Sequence, residues 1–325
     1  MKHGIAMATL VALGLATATP AAAADETCEK KKTFALILHG GFMGSEDGTE
    51  PQHYTLMREL VERGRANLER GAAAVDVVVE AIASMEDSGI MDAGKGSIVN
   101  TAGFTETDAS LMEGYTGRSG AVAAMQRLKN PIRAARLVMD RTPHVLFAGT
   151  TGEQTLIGLG AESVEDPNSY FQEYVPPAKG VAKPAREHDT VGAVALDRCG
   201  NLAAGTSTGG WPGKMPGRVG DSPIIGASTF ANERYALSAT GRGEYFINRG
   251  ATQDIAARAE YQEMSLQTAA DYVVKNLIGE RDGAAGAIIA LSREGDIVLS
   301  SNGFGVRYGY ASDSRSVTVG GKLGQ

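Results

Sequence analysis

The chain has 325 residues, 43% apolar and 21% charged, which is enough to bury one large core or two ordinary ones and too apolar for wholesale disorder. Lys plus Arg number 31 against 38 Asp plus Glu, and the formal charge of -7 speaks against a surface built for nucleic-acid phosphates. Glycine is the outlier at 42 residues, and no short period organises it, which excludes collagen and simple repeats.

At the start, Lys2 and His3 precede an apolar run from Ile5 to Thr19, then Ala21-Ala22-Ala23-Ala24 and Asp25-Glu26. That is the three-part layout of a secretory signal, with cleavage expected after Ala24, and the run is shorter than the roughly 20 residues a spanning helix needs. Export, to a periplasm, is the expectation. Both cysteines, Cys28 and Cys199, would remain in the mature chain, where an oxidising compartment permits a pair.

Thr33 to Leu38 reads as a short apolar strand running into His39-Gly40-Gly41. Helical spacing follows over Gln52 to Arg70 and over Ala73 to Glu86, where Val75, Val78, Val79 and Ile82 share a face. Asn130-Pro131 reads as an N-cap and first helical position, opening a helix to about Met139. From Glu165 to Asp189 prolines and charges replace periodicity, as in a surface linker. Beyond it Val191 to Leu196 and Leu202 to Thr208 read as two strands joined by Asp197-Arg198-Cys199-Gly200-Asn201, which is turn chemistry. Helices are expected at Gln253–Gln262 and Leu266–Leu277, a hairpin at Gly286–Leu291 with Ile297–Ser300, and a last strand at Val317–Val319. Helices outside a β core, an α+β fold, is the class this order implies.

The chemistry is narrowed by elimination. The five histidines show no metal-ligand spacing, and two distant cysteines make no zinc site. Gly205-Thr206-Ser207-Thr208-Gly209 matches the nucleophile elbow of α/β-hydrolases, but that fold needs a histidine after the serine and every histidine here precedes Ser207. A hairpin centred on Cys199 sets Thr190 opposite Thr208, so two hydroxyls meet at its open end. Taken alone, two strand threonines are the ordinary reading.

The surrounding sequence changes that reading. His188-Asp189-Thr190-Val191-Gly192-Ala193-Val194-Ala195-Leu196-Asp197, with Thr206-Ser207-Thr208-Gly209-Gly210, closely resembles the plant-type asparaginase and isoaspartyl peptidase family. Gly217-Arg218-Val219-Gly220-Asp221-Ser222-Pro223 and Thr240-Gly241-Arg242-Gly243-Glu244 extend the resemblance, as do His39-Gly40-Gly41, Asp108-Ala109 with Met112-Glu113-Gly114, and Asn130-Pro131. The resemblance implies an N-terminal-nucleophile hydrolase with a four-layer αββα sandwich. It implies self-cleavage between Asp189 and Thr190, giving an α subunit of residues 25–189 and a β subunit of residues 190–325 that remain one domain. The freed α-amino group of Thr190, with an ordinary pKa of about 7.7–8.0, would serve as base for its own hydroxyl.

By the same resemblance Thr208 supports the nucleophile, and Thr240 and Gly241 form the oxyanion hole. Arg218 clamps the substrate α-carboxylate, Asp221 holds its ammonium, and Val219, Gly220, Arg242 and Gly243 complete the binding segments. The expected substrates are β-aspartyl dipeptides and L-asparagine, with no required cofactor and a dimer of processed units. The segment from Met85 to Met91, with Glu86 and Ile90, matches one that holds sodium through carbonyls in relatives. Phe42-Met43 replaces the usual Ala-Gly, a change expected in the pocket wall, and Asp92 replaces an asparagine. Asp189 is similar to glycosylasparaginases, which keeps that activity as an alternative, and a non-catalytic amino-acid-binding protein using Arg218 and Asp221 is the alternative from another class.

Overall fold

Twelve strands and eight α-helices make up the computed structural model over residues 33–42, 51–171, 190–279, 285–303 and 305–321, the described residues. The first half runs β1 (Ala35–Phe42), α1 (Pro51–Glu69), α2 (Ala74–Ser88), β2 (Thr107–Glu113), β3 (Ser119–Met125), α3 (Pro131–Arg141), β4 (Leu146–Ala148), α4 (Gly149–Gly158) and α5 (Pro167–Tyr170). The second half opens with β5 (Val191–Leu196), β6 (Leu202–Thr208), β7 (Thr229–Ala231) and β8 (Tyr235–Gly241). It continues with α6 (Gly243–Arg249), α7 (Ala251–Tyr261) and α8 (Leu266–Asp271) and closes with β9 (Gly286–Ser292), β10 (Ile297–Ser301), β11 (Val306–Ser312) and β12 (Thr318–Gly320).

Eight strands form one sheet in the order β12-β11-β1-β5-β6-β2-β3-β4, and four form a second in the order β10-β9-β8-β7. The alternation of side chains along each strand divides the core. Leu36 and Leu38 of β1, with Val191, Ala193 and Ala195 of β5, pack under α1, α2 and α3. Ala35 and Ile37, with Val194 and Leu196, point the other way and meet Ala236 of β8 and Ile289 and Leu291 of β9. On the far side of the second sheet, Leu237, Ala239, Ile288 and Ala290 pack against α7 and α8. Central strands covered on both faces explain why β1, β5 and β6 are buried along their whole lengths.

β5, β6 and their turn fall where the sequence places them, and β1 extends past Leu38 through Gly41 to Phe42. Asn130 occupies the N-cap position of α3 but makes no cap bond; its amide donates to Asp87 Oδ1 instead. The helix expected at Leu266–Leu277 changes at Tyr272 into π-helical turns that run to Ile278. α5 interrupts the expected linker. The signal segment, Cys28, Met43, His188 and Asp189 lie outside the described residues.

Candidate active site

β5 and β6 pair in the register that sets Val191 opposite Ser207, and one step further Thr190 Oγ1 lies 3.0 Å from Thr208 Oγ1. Gly210 N–H donates to Thr208 Oγ1 at 2.9 Å, so the supporting hydroxyl is itself oriented by the turn that ends its strand. Both threonines are buried.

A polar chain fixes Thr190 from behind. His39 Nδ1 lies 3.0 Å from the Thr190 carbonyl and its Nε2 lies 3.0 Å from Ser238 Oγ. Burial pushes the imidazole pKa down to about 3, only partly offset by the Thr190 hydrogen bond, so the ring is neutral. A carbonyl only accepts, which places the proton on Nδ1 and makes Nε2 the acceptor of the Ser238 hydroxyl. Ser238 Oγ then accepts from Thr206 at 2.7 Å, and Thr206 from Thr229 at 2.6 Å. A Cβ at Gly192 would collide with Ser238 Oγ and His39 Nε2, so glycine there lets the two sheets close over this chain.

The end of β8 supplies unpaired donors. Thr240 Oγ1 is buried with no described partner. Arg242 N–H donates to the Ala285 carbonyl, so by strand alternation the Gly241 N–H faces the opposite edge, past the last β7 pair at Ser238. Gly243 begins α6, and a Cβ there would press on Asp221 Oδ1 and the Arg218 guanidinium. The backbone after β8 therefore lies against Asp221 and Arg218.

Those two residues ride on a loop tied through β2 to β6. Asp108 of β2 pairs with Thr208, and its carboxylate accepts from Gly220 N–H at 3.2 Å and from Ala124 N–H at 2.8 Å. Ala124 adopts a φ of 53°, rare for a side chain with a Cβ, at a bulge that this carboxylate holds. Burial raises the Asp108 pKa. Lys214, buried and with a lowered pKa from desolvation, donates its ammonium to the carbonyls of Gly209 and Glu106. It clamps the turn that carries Gly210. Asp92 completes the enclosure: its carbonyl accepts from Gly209 N–H at 2.8 Å, and its Oδ1 from Ile98 N–H at 3.0 Å.

Arg218 pairs with Glu244 through Nε and Nη2, at 3.1 and 3.0 Å, rather than with its near neighbour Asp221. One edge of the guanidinium is held and Nη1 is left without a described partner. Asp221 is buried, its Oδ2 has no described partner, and desolvation pushes its pKa up to about 6. A buried carboxylate oxygen without a donor beside a half-used guanidinium suits a ligand carrying both an ammonium and a carboxylate. Val219, between them, is half-buried.

Thr190, Thr208, Thr240, Gly241, Arg218, Asp221 and Gly243 thus gather around the ends of β5, β6 and β8, whereas Met85, Glu86, Ile90 and Met91 lie at and after the C-terminal end of α2. Glu86, pushed up to about 8 by burial, accepts from Ser207 and Ile132 N–H. Phe42 is buried against Ala287, the strand partner of Thr240, and Val306. His39, Lys214, Ser238 and Asp108 were not singled out as site residues from sequence. A histidine ending an apolar strand is the signal that points to His39, whereas Lys214 sits among exposed turn residues that give none.

The chain is similar to known proteins along most of its length. The family model described as asparaginase matches residues 32–176 and 165–320. An isoaspartyl peptidase of Salmonella typhimurium is 40% identical over 309 residues, covering 87% of this chain and 97% of that protein. The isoaspartyl peptidase/L-asparaginase of Homo sapiens is 36% identical over 291 residues, 86% and 94% of the two chains. A probable isoaspartyl peptidase/L-asparaginase 2 of Arabidopsis thaliana is 35% identical over 322 residues, 88% and 98%.

Proposed function

The chain belongs to the asparaginase family, and on that premise we propose that it is a self-processing hydrolase of β-aspartyl dipeptides and L-asparagine, with Thr190 as nucleophile. The observation that carries the reading is the 3.0 Å contact of Thr190 and Thr208 hydroxyls at a site whose Thr240 hydroxyl and Asp221 carboxylate oxygen are buried without described partners.

Processing comes first. Thr190 Oγ attacks the carbonyl carbon of Asp189, the peptide C–N bond breaks, and water cleaves the resulting ester, leaving a free Thr190 amine. In turnover that amine takes the Oγ proton as Oγ adds to the β-carbonyl carbon of the substrate. The developing oxyanion is met by the Thr240 hydroxyl and the Gly241 N–H. The Thr190 ammonium returns its proton to the leaving nitrogen as the C–N bond breaks, and water, deprotonated by the same amine, hydrolyses the β-aspartyl ester. Arg218 holds the α-carboxylate and Asp221 the α-ammonium throughout. The His39 imidazole, neutral and donating to the Thr190 carbonyl, keeps the new N-terminus in place.

The finer family features follow as part of this proposal: a four-layer αββα sandwich, a dimer of processed units, and export after loss of residues 1–24. Sodium fits the segment after α2 chemically, because a Cβ at Gly96 would meet the carbonyl oxygens of Gly89 and Met91, and clustered neutral oxygens suit a hard cation. The carbonyls of Met85 and Ile90 meanwhile accept from Ser88 and His53. Such an ion would brace the segment that carries Asp92 and would raise the melting midpoint in sodium chloride over choline chloride.

The test of function is a panel of β-Asp-Leu, asparagine and a glycosylasparagine on matured protein and on Thr190→Ala. Hydrolysis of the first two by the two-piece protein, and a single inactive chain for Thr190→Ala, is the expected result. Preference for the glycosylasparagine would favour the glycosylasparaginase reading, and a single-chain wild type that binds asparagine without turnover would favour a binding protein.

A further inference from the structure

Arg242 interrupts the run from Gly241 to Gly243 with a side chain that no feature of the fold requires. It precedes α6, a position where helices favour Ser, Thr, Asp or Asn, and its side chain makes no cap bond. Its guanidinium carbon instead lies 5.3 Å from the ring centre of Trp211 and 5.4 Å from that of Tyr245. The cation is held over both rings, and a guanidinium brings five N–H donors that an acceptor at this place could meet. No hydrogen bond of that guanidinium to another side chain occurs among the described residues. Glu244 feels its charge but gives its Oε1 to Arg218.

The position of the stack is informative. Trp211 directly follows Gly210, whose N–H orients Thr208, and Arg242 directly follows Gly241 of the oxyanion hole. The half-buried stack therefore spans the rim between the nucleophile's support and the oxyanion strand. On the tetrahedral carbon formed at Thr190, one substituent is the new Oγ bond, one is the oxyanion, and one leads back to the aspartyl groups at Arg218 and Asp221. The fourth is the leaving nitrogen, which must depart toward the part of the wall those residues do not occupy.

We propose that Arg242, braced by Trp211 and Tyr245, is a subsite for the α-carboxylate of the leaving amino acid in a β-aspartyl dipeptide. This rests on the proposed function and deepens it. A β-aspartyl dipeptide carries two carboxylates, one for each arginine, whereas asparagine loses only ammonia and offers Arg242 nothing. The subsite thus favours dipeptides without altering the bonds made and broken at Thr190.

The experiment compares kcat/KM for β-Asp-Leu, its C-terminal amide and asparagine on matured wild type, Arg242→Gln and Arg242→Lys, with maturation checked on a denaturing gel. Wild type should prefer the free acid over the amide by about tenfold, the worth of a charge-assisted contact at a half-exposed site. Arg242→Gln should bring that ratio to about one and lower the dipeptide-to-asparagine ratio by a similar factor. Arg242→Lys, keeping charge without the fork, should fall between them. A wild-type acid-to-amide ratio within twofold of one overturns the subsite even though hydrolysis of both leaves the function intact, and so does an unchanged ratio in Arg242→Gln. Equal losses on all three substrates would assign Arg242 to the chemistry instead and overturn it too. If wild type cleaves none of the three, the proposed function itself falls, and the subsite with it.

Discussion

Asp221 carries a charge balance that pH can read. Burial holds its pKa at about 6, above the ordinary carboxylate value, so the empty site keeps it neutral in mild acid. For folding, a raised carboxyl pKa contributes stability that is present below the ordinary pKa and lost as pH rises through about 6. For binding the sense is opposite, since only the carboxylate attracts an ammonium. The kcat/KM for asparagine should therefore fall on acidification once as the Thr190 amine protonates, and more steeply below about pH 6. Asp221→Asn should remove the steeper limb and lower kcat/KM about 100-fold; a pH profile with a single slope in wild type would contradict the assignment. His39 makes a second prediction at this scale. His39→Ala leaves the Thr190 carbonyl and the Ser238 hydroxyl without their partner in a closed interior, at a cost of about 2–3 kcal/mol, measurable by urea unfolding.

Among the elements, α3 packs closely on β3 at Gly120. A Cβ at Gly120 would run into the Ala135 carbonyl and lie 2.7 Å from Met139 N, backbone atoms that cannot rotate away. Gly120→Ala should push the helix outward and destabilise by about 3 kcal/mol, with the denaturation midpoint as readout; a change within 0.5 kcal/mol, roughly the scatter of neutral surface substitutions, would mean the contact is loose. The elements legible in sequence, among them β1, β5, β6, α1, α2, α3, α7 and the β9–β10 hairpin, carry either a run of one period or a clear turn or cap signal at an end. β2, β3, β8 and β11 were not legible, because Ser, Thr, Asp and Gly occupy buried positions where only tertiary hydrogen bonds justify them. Ser110 donates to the Ser222 carbonyl, and Asp108 takes two backbone donors from other segments. The site divides the same way. The pairing of Thr190 with Thr208 follows from hairpin arithmetic and their role from the resemblance, whereas Lys214 acts on carbonyls of Gly209 and Glu106, one of them far along the chain.

At the scale of the whole molecule, cleavage before Thr190 would part a sheet whose strands are interleaved. Residues 33–171 supply β1 to β4 and residues 190–321 supply β5 to β12, yet β1 lies between β11 and β5, and β2 lies against β6. Separation would break three ladders and open the apolar layer between the sheets, so the two pieces should co-elute in gel filtration and unfold in one transition. Cys199 adds a covalent restraint. It lies in the β5–β6 turn, at the opposite end of β5 from Thr190, and it is disulfide-bonded. The sequence has one other cysteine, Cys28, which lies outside the described residues. A Cys28–Cys199 bridge would join the α piece to the β piece far from the chemistry, leaving Thr190 free to react. Matured protein should then run as one species on a denaturing gel without reductant and as two with it. Reduction should leave the native pieces together but lower stability by about 2–4 kcal/mol, the usual worth of such a crosslink. Two bands without reductant, with both thiols alkylated in the denatured protein, would sink the bridge; the interleaved sheet would still predict co-elution.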